Sequence, residues 1–217
     1  MIQIIPSGNT NCYLLTPEGG GKRILVDAGT AADARFLDRL AALGPLEDLG
    51  LVLLTHGHHD HVGHAARLQG EFGVPVALHP ADWETVIRGE QPFPPARHGL
   101  GRAVRWLTLQ GLDRAKYPPF TPDLPLAPGP LPGFPGVEIL ALPGHTAGSV
   151  GVAFQGCLLA GDLVMHLFRP TLTWFAQDVP AAQASLRRVA GGAFRTLYPG
   201  HGRPISGAWL RRWGGQG

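Results

Sequence analysis

Four residues of metal-ligand type, His56, His58, Asp60 and His61, fall within six consecutive positions immediately after the apolar run Val52-Leu53-Leu54. A short apolar run with a β-branched residue and turn residues just beyond it reads as a buried strand, so the polar cluster leaves a sheet at a strand end. His56 and His58 are two positions apart, and on an extended or loop backbone their imidazoles can point the same way and chelate one ion. Asp60 and His61 follow where the chain turns into a helix, which opens a second direction. One His-x-His pair suits one metal and the Asp-His pair suits another.

Four ligands on one loop cannot close two coordination spheres, because zinc takes about four ligands and a catalytic site keeps one position for water. Further ligands must come from elsewhere in the chain. Three segments offer them: Pro143-Gly144-His145-Thr146, Ala160-Gly161-Asp162 and Pro199-Gly200-His201-Gly202. Each follows an apolar strand-like run (139–142, 158–160 and 196–198), and each sets its polar residue beside a glycine, which lets the backbone turn sharply. A single histidine in a chain holding ten is more often a surface or satisfied core group than a ligand. The joint pattern is what separates these positions from that ordinary role. His59, His64, His79, His98 and His166 lack such context and are read as ordinary polar side chains, with His79 at a strand end the first to check.

The motif Thr55-His56-x-His58-x-Asp60-His61-x-Gly63, with His145, Asp162 and His201, resembles the metallo-β-lactamase superfamily, and Leu25-Val26-Asp27-Ala28-Gly29 is similar to that family's first motif. The resemblance runs from about residue 8 to residue 203. It implies a four-layer αββα sandwich of two mixed β-sheets flanked by helices, with the site on one edge. It also implies that His56, His58 and His145 hold a first metal, that Asp60, His61 and His201 hold a second, that Asp162 bridges both, and that Asp27 orients the ligand loop from outside the coordination spheres.

Two divalent ions, zinc first with iron or manganese as alternatives, bring a formal charge of about +4, and two aspartates return about −2. Such a site attracts anions and lowers the pKa of a trapped water towards roughly 7. The expected activity is a metal-dependent hydrolase. A hydroxide bridging the two ions would cleave an ester-type bond, a thioester, lactone or similar, with Asp60 and His61 assigned to catalysis. No Gly-x-Ser-x-Gly elbow competes for the nucleophile's role. Ligation needs five neutral imidazoles, so activity is expected to fall below about pH 6.

A β-lactamase of the superfamily is expected to carry Cys or Ser where Asp162 stands, so the aspartate points to the thioesterase, lactonase and phosphodiesterase branches. Glyoxalase II resembles the metal site closely but adds a C-terminal helical domain. The chain runs 16 residues past His201, so a short glyoxalase-II-like form without that domain is expected. The alternative is the persulfide dioxygenase branch, in which His56, His145 and Asp162 would hold a single iron. The flavodiiron branch would carry Glu at position 58, and a non-catalytic binding protein would not be expected to keep all seven ligand positions.

The elements that position these residues follow from local pattern. Segments 12–16 and 23–27 read as a strand pair around a Gly-rich turn. Thr30 reads as the N-cap of a helix with Phe36, Leu37, Leu40 and Leu43 on one face and Gly44-Pro45 as its stop. Segment 62–72 reads as a helix after the ligand loop, 75–78 as a strand, and 80–88 as a short helix carrying Trp83, Val86 and Ile87. Asp178 with Pro180 opens a long helix buried through Leu186 and Val189, and Trp209, Leu210 and Trp213 close the core on a terminal helix. Residues 92–143 hold 12 of the 21 prolines, which restricts regular structure to 99–109 and 137–142. The stretch around 92–136 is expected to shape the substrate cleft, with Phe93, Trp106, Tyr117 and Phe120 as candidate wall residues.

Length and composition suit one domain spanning residues 1–217, since 44% hydrophobic content is ample for a core. A net charge of +2 gives no electrostatic footprint for nucleic acid or a membrane surface. The expected partner is a small molecule, and the cationic metal site favours an anionic one. Cys12 and Cys157 lie in apolar runs without metal-binding spacing and read as buried free thiols. The N-terminus has no signal-like segment and no run approaches the roughly 18 apolar residues of a spanning helix, so a cytoplasmic protein is expected. The basic residues are 16 Arg against 2 Lys, a bias that the hydrolase reading does not use.

Overall fold

The apolar runs that precede the ligand motifs become interior strands of separate sheets in the computed structural model, which describes residues 1–90, 93–109 and 116–214. The chain divides into two compact units, Met1–Pro92 with Thr108–Pro125, and Phe93–Leu107 with Leu126–Gly217.

In the first unit β1 (Ile2–Ser7), β2 (Thr10–Leu15), β3 (Arg23–Val26), β4 (Leu49–Leu53), β5 (Val76–Leu78) and β6 (Leu124–Pro125) lie side by side in that order. The first three run antiparallel and the rest are joined in parallel. The expected strand pair is β2 and β3, with Leu14 opposite Leu25. β1 extends it at the sheet edge, where Pro6 costs no interior ladder bond. Leu25, Val52 and Val76 are fully buried on one face, and Ile24, Leu51 and Leu53 are buried on the other. Such unbroken apolar runs suit the parallel centre of a sheet covered on both sides.

Helices α1 (Phe36–Ala41), α2 (His59–Val62), α3 (Ala65–Phe72) and α4 (Trp83–Arg88) belong to this unit. Phe36, Leu40, Leu68 and Val86 pack into one cluster with Leu25, Val52 and Val76. Two helices depart from the sequence expectation for one physical reason. Thr30 does not cap α1, which begins at Phe36 with Arg35 before it. The Thr30 amide instead donates to Ser7 Oγ at 3.1 Å, and the carbonyls of Ala28 and Gly29 accept from the amides of His64 and Gly63 at 3.1 and 2.7 Å. Those bonds commit segment 28–30 to the ligand loop. They also take the Gly63 and His64 amides away from a continuous helix, so 62–72 is divided into α2 and α3. Leu43, expected on the same face as Phe36, Leu37 and Leu40, is exposed, as is Ile87.

The proline-rich stretch is not one loop. Pro92 and residues 110–115 of it lie outside the described residues, and its remainder is shared between the units. Within it α5 (Gly99–Leu109) forms where regular structure was expected. Tyr117 and Phe120, two of the candidate wall residues, are members of the first unit's core, with the Tyr117 hydroxyl donating to the Glu90 carbonyl at 2.8 Å. Trp106 is 63% exposed, and Phe93 packs edge-on against Phe175.

The second unit holds β7 (Gly129–Pro130), β8 (Val137–Ala141), β9 (Val150–Phe154), β10 (Cys157–Leu159), β11 (Val164–His166), β12 (Pro170–Leu172), β13 (Thr196–Tyr198), β14 (His201–Gly202) and β15 (Ile205–Ser206). One sheet has the order β15-β13-β10-β9-β8-β7, with only β10 and β13 parallel, and a smaller one has the order β12-β11-β14. Gln155 and Gly156 both have positive φ, 49° and 71°, which matches the tight turn joining β9 to β10. Helix α6 (Val179–Ala190) opens as expected, with Asp178 Oδ1 accepting from the Ala181 amide at 2.9 Å. Leu186 and Val189 of α6 and Leu210 of α7 (Gly207–Gly214) pack with Leu158 and Leu197. Cys12 is a buried free thiol, whereas Cys157 is half-buried and also free. Among the described residues no helix is long and apolar enough to cross a membrane.

Candidate metal centre

The first unit brings together all four ligand candidates of the His56–His61 loop. β4 ends at Leu53, and His58 then caps α2, its carbonyl accepting from the amides of His61 and Val62 at 2.9 and 3.1 Å. The rings of His56 and His58 lie 4.7 Å apart and those of His56 and His61 4.2 Å apart, centroid to centroid. Ligand atoms of His56 and His58, of His56 and His61, and of Asp60 and His61 each fall within 4.8 Å of one another. His56, His58 and His61 are buried and Asp60 is half-buried.

Asp27 organises this cluster. It stands just past β3 in the left-handed region, φ 63°, a conformation a non-glycine residue keeps only when its surroundings enforce it. Its Oδ1 accepts from the Thr55 amide at 2.8 Å, and its Oδ2 accepts from Thr55 Oγ1 at 2.9 Å and from His61 Nδ1 at 2.8 Å. Thr55 has only one hydroxyl proton and gives it to Asp27. Its 3.0 Å contact with His56 Nδ1 is therefore a bond donated by the histidine. Both rings thus carry their proton at Nδ1 and turn Nε2 towards the cluster, the arrangement a metal-binding histidine requires. The role expected of Asp27, orienting the ligand loop, is borne by these bonds.

In the second unit His145, Asp162 and His201 come together from three strand ends. His145 follows β8, Asp162 sits in a 3-10 turn after β10, and His201 opens β14. The Gly200 amide donates to the Gly161 carbonyl at 2.7 Å, which ties the last two segments to each other. Asp162 Oδ2 lies 3.5 Å from His145 Nε2 and 3.3 Å from His201 Nε2. His145 donates from Nδ1 to the Phe175 carbonyl at 2.8 Å, so a neutral ring presents a lone pair at Nε2 to a carboxylate oxygen. A cation reconciles the two acceptors. Imidazole with carboxylate is a donor set that suits zinc, iron or manganese, so each half fits such an ion.

Other polar residues support the loops, and sequence reasoning missed them. Buried Asp82 accepts from the Gly57 amide at 2.9 Å, between two ligand candidates. Thr10 Oγ1 donates to Asp60 Oδ2 at 2.9 Å, and Thr173 Oγ1 donates to the Phe175 carbonyl that also holds His145. An aspartate opening a short helix after a strand looks like an ordinary cap, so position 82 carried only a weak signal. The remaining histidines keep their ordinary roles. His64 is stacked on Phe36, and burial pushes its pKa down. His79 caps a short turn by accepting from the Ala81 amide, and His166 Nδ1 lies 3.0 Å from the Arg203 carbonyl.

Comparison with known proteins adds four findings. A family model described as the metallo-beta-lactamase superfamily matches residues 5–201. A probable metallo-hydrolase of Methanocaldococcus jannaschii, MJ0888, is 26% identical over 200 residues, covering 89% of this chain and 88% of the relative. A hydroxyacylglutathione hydrolase of Aeromonas hydrophila is 31% identical over 192 residues, covering 86% of this chain but only 58% of the relative. Among solved structures, TTHA1623 in a di-iron-bound form is 27% identical and superimposes with a TM-score of 0.71, covering 98% of this chain and 97% of that one. The expected fold class holds: mixed sheets flanked by helices, shared with that structure.

Proposed function

The chain belongs to the metallo-beta-lactamase superfamily, and on that premise we propose that it is a metal-dependent hydrolase. In this reading the metal ligands are His56, His58, Asp60 and His61 of the first unit and His145, Asp162 and His201 of the second, and the cofactor is two divalent ions, with zinc or iron as the leading candidates. The observation that carries it is the Nδ1 anchoring of His56, His61 and His145, which aims Nε2 of His61 and His145 at carboxylate-bearing clusters. When bound, a pair of divalent ions supplies Lewis acidity and lowers the pKa of a captured water to about 7.

The chain's own groups then have defined tasks. Asp27 keeps the proton on His61 Nδ1 and, through Thr55, on His56 Nδ1. Thr10 fixes one oxygen of Asp60, and the Phe175 carbonyl keeps the proton on His145 Nδ1. Asp60 and His61 are the catalytic pair of this reading. The substrate class is a small anionic ester-type molecule, a thioester or lactone. The similarity to a hydroxyacylglutathione hydrolase supports a thioester, and Asp162 in place of Cys or Ser speaks against a β-lactam. A single-iron dioxygenase built on His56, His145 and Asp162 would leave the anchored His61 without a task.

The test is metal analysis after purification without added metal, followed by a screen against thioesters, lactones, phosphodiesters and a β-lactam. Close to two metal equivalents per chain and turnover of a thioester or lactone are expected. His58→Ala and Asp60→Ala should each cost about a thousandfold, the loss of several kcal/mol of charge stabilisation. Wild-type rates in both variants would sink the reading. One iron per chain with oxygen-dependent thiol oxidation would replace it with the dioxygenase.

A further inference from the structure

The arginine bias left unused by the hydrolase reading is distributed unevenly. The second unit carries 10 Arg, no Lys and 3 carboxylates, a net +7, whereas the first carries 8 Lys and Arg against 13 carboxylates, a net −5. Three of the ten, Arg97, Arg169 and Arg187, line one cavity of about 920 Å³ that lies wholly within the second unit. Among the described residues no Asp or Glu lines it, and none of the seven candidate metal ligands does. Among the described residues none of these three arginines is in an ion pair.

Arg97 is held in place rather than waving in solvent. Its Nη1 donates to the Thr173 and Leu172 carbonyls at 2.9 and 3.3 Å, and its Nε is buried without a hydrogen-bond partner among the described residues. Burial pushes its pKa down, so its charge is short of solvation that an anion would restore. The opposite character comes from α7 and α6. The half-buried rings of Trp209 and Trp213 lie 4.6 Å apart at 59°, and buried Leu186 lies beside them along the same cavity. A concave site of several hundred cubic ångströms with apolar walls and a few fixed polar groups is of the kind that takes small organic ligands.

We propose that this cavity binds a small phosphorylated molecule bearing a flat apolar ring, of the nucleoside phosphate type, as a ligand distinct from the hydrolase substrate. The guanidinium groups receive the phosphates, a geometry to which their planar forks are matched. The tryptophans and Leu186 receive the ring. The site stands whether or not the hydrolase reading does.

The probe is ADP, titrated into the purified holoenzyme by calorimetry and by tryptophan fluorescence, with pyrophosphate and adenosine in parallel. One ADP per chain is expected, with pyrophosphate weaker and adenosine weaker still. Arg169→Gln and Arg187→Gln, both at exposed positions, should each weaken ADP about tenfold, the worth of one charge-assisted hydrogen bond. Trp213→Leu should bring ADP down to the affinity of pyrophosphate. His58→Ala, which disturbs the candidate metal centre, should bind ADP as the wild type does. No ADP binding, or binding that survives both arginine substitutions but is lost in His58→Ala, would overturn the proposal in favour of chelation at the metals. Equal affinity for ADP and pyrophosphate would remove the ring from it.

Discussion

The two units hold their candidate ligands by different means. In the first, a buried carboxylate anchors two histidines, His61 directly and His56 through Thr55. In the second, His145 leans on the neutral carbonyl of Phe175. Either partner fixes the tautomer of the imidazole it holds and raises its basicity, and a carboxylate adds a full negative charge that a carbonyl lacks. The charge balance runs the same way, since the anchored carboxylate sits in the unit with net −5 and the carbonyl in the unit with net +7. The two anchors therefore differ in charge, a carboxylate in the first unit and a neutral carbonyl in the second. The cores do not share this asymmetry, because each unit buries its own apolar cluster.

The largest expected effect tests that likeness of cores. Leu25 and Leu158 are both fully buried, one in each unit's cluster. Leu25→Ala and Leu158→Ala should each lower stability by about 2–5 kcal/mol in denaturant titrations. A loss near zero for either one would mean that its unit does not rely on the cluster seen around it.

How much of each half could be read in advance also differs. The first unit's ligands are contiguous, so residue type and spacing alone exposed His56, His58, Asp60 and His61. What spacing did not expose was the competition for backbone groups that moved the start of α1 from Thr30 to Phe36, because the partners Ser7, Gly63 and His64 are distant in sequence. In the second unit the runs before His145, Asp162 and His201 were legible as strands. The small sheet of β11, β12 and β14 was not, since strands of two or three residues are too short to show a period. Thr173 escaped for the same reason: its role is defined by a carbonyl it shares with a histidine 28 positions away.

Anchoring itself comes next in size. Asp27→Asn keeps an acceptor for the Thr55 amide but sets an amide donor against His61 Nδ1 and Thr55 Oγ1, which forces the wrong tautomer. Metal affinity, measured by competition with a chelator, should drop about 10–100-fold. Thr173→Val removes one hydroxyl yet leaves the Phe175 carbonyl to hold His145, so a loss below about tenfold is expected. Equal losses in the two variants would erase the distinction between a charged and a neutral anchor.

The smallest test compares the two thiols. Cys12 is fully buried, and burial, followed by the nearby charge of Asp27, pushes its pKa well above the ordinary 9.0. The fold therefore holds it as an unreactive thiol, whereas Cys157 is half-buried on β10. At pH 8 a thiol reagent should modify Cys157 on the order of a hundredfold faster than Cys12, because Cys12 must wait for an opening of its sheet. The sign of the pH effect on stability follows from the raised value. Unfolding releases a thiol that ionises more readily than the folded one, so this contribution is fully present below pH 9.0 and is lost as the pH rises above it. Cys12→Ala should flatten that alkaline decline. An unaltered decline in Cys12→Ala would show that Asp27 and its surroundings do not press on the thiol as their closeness requires.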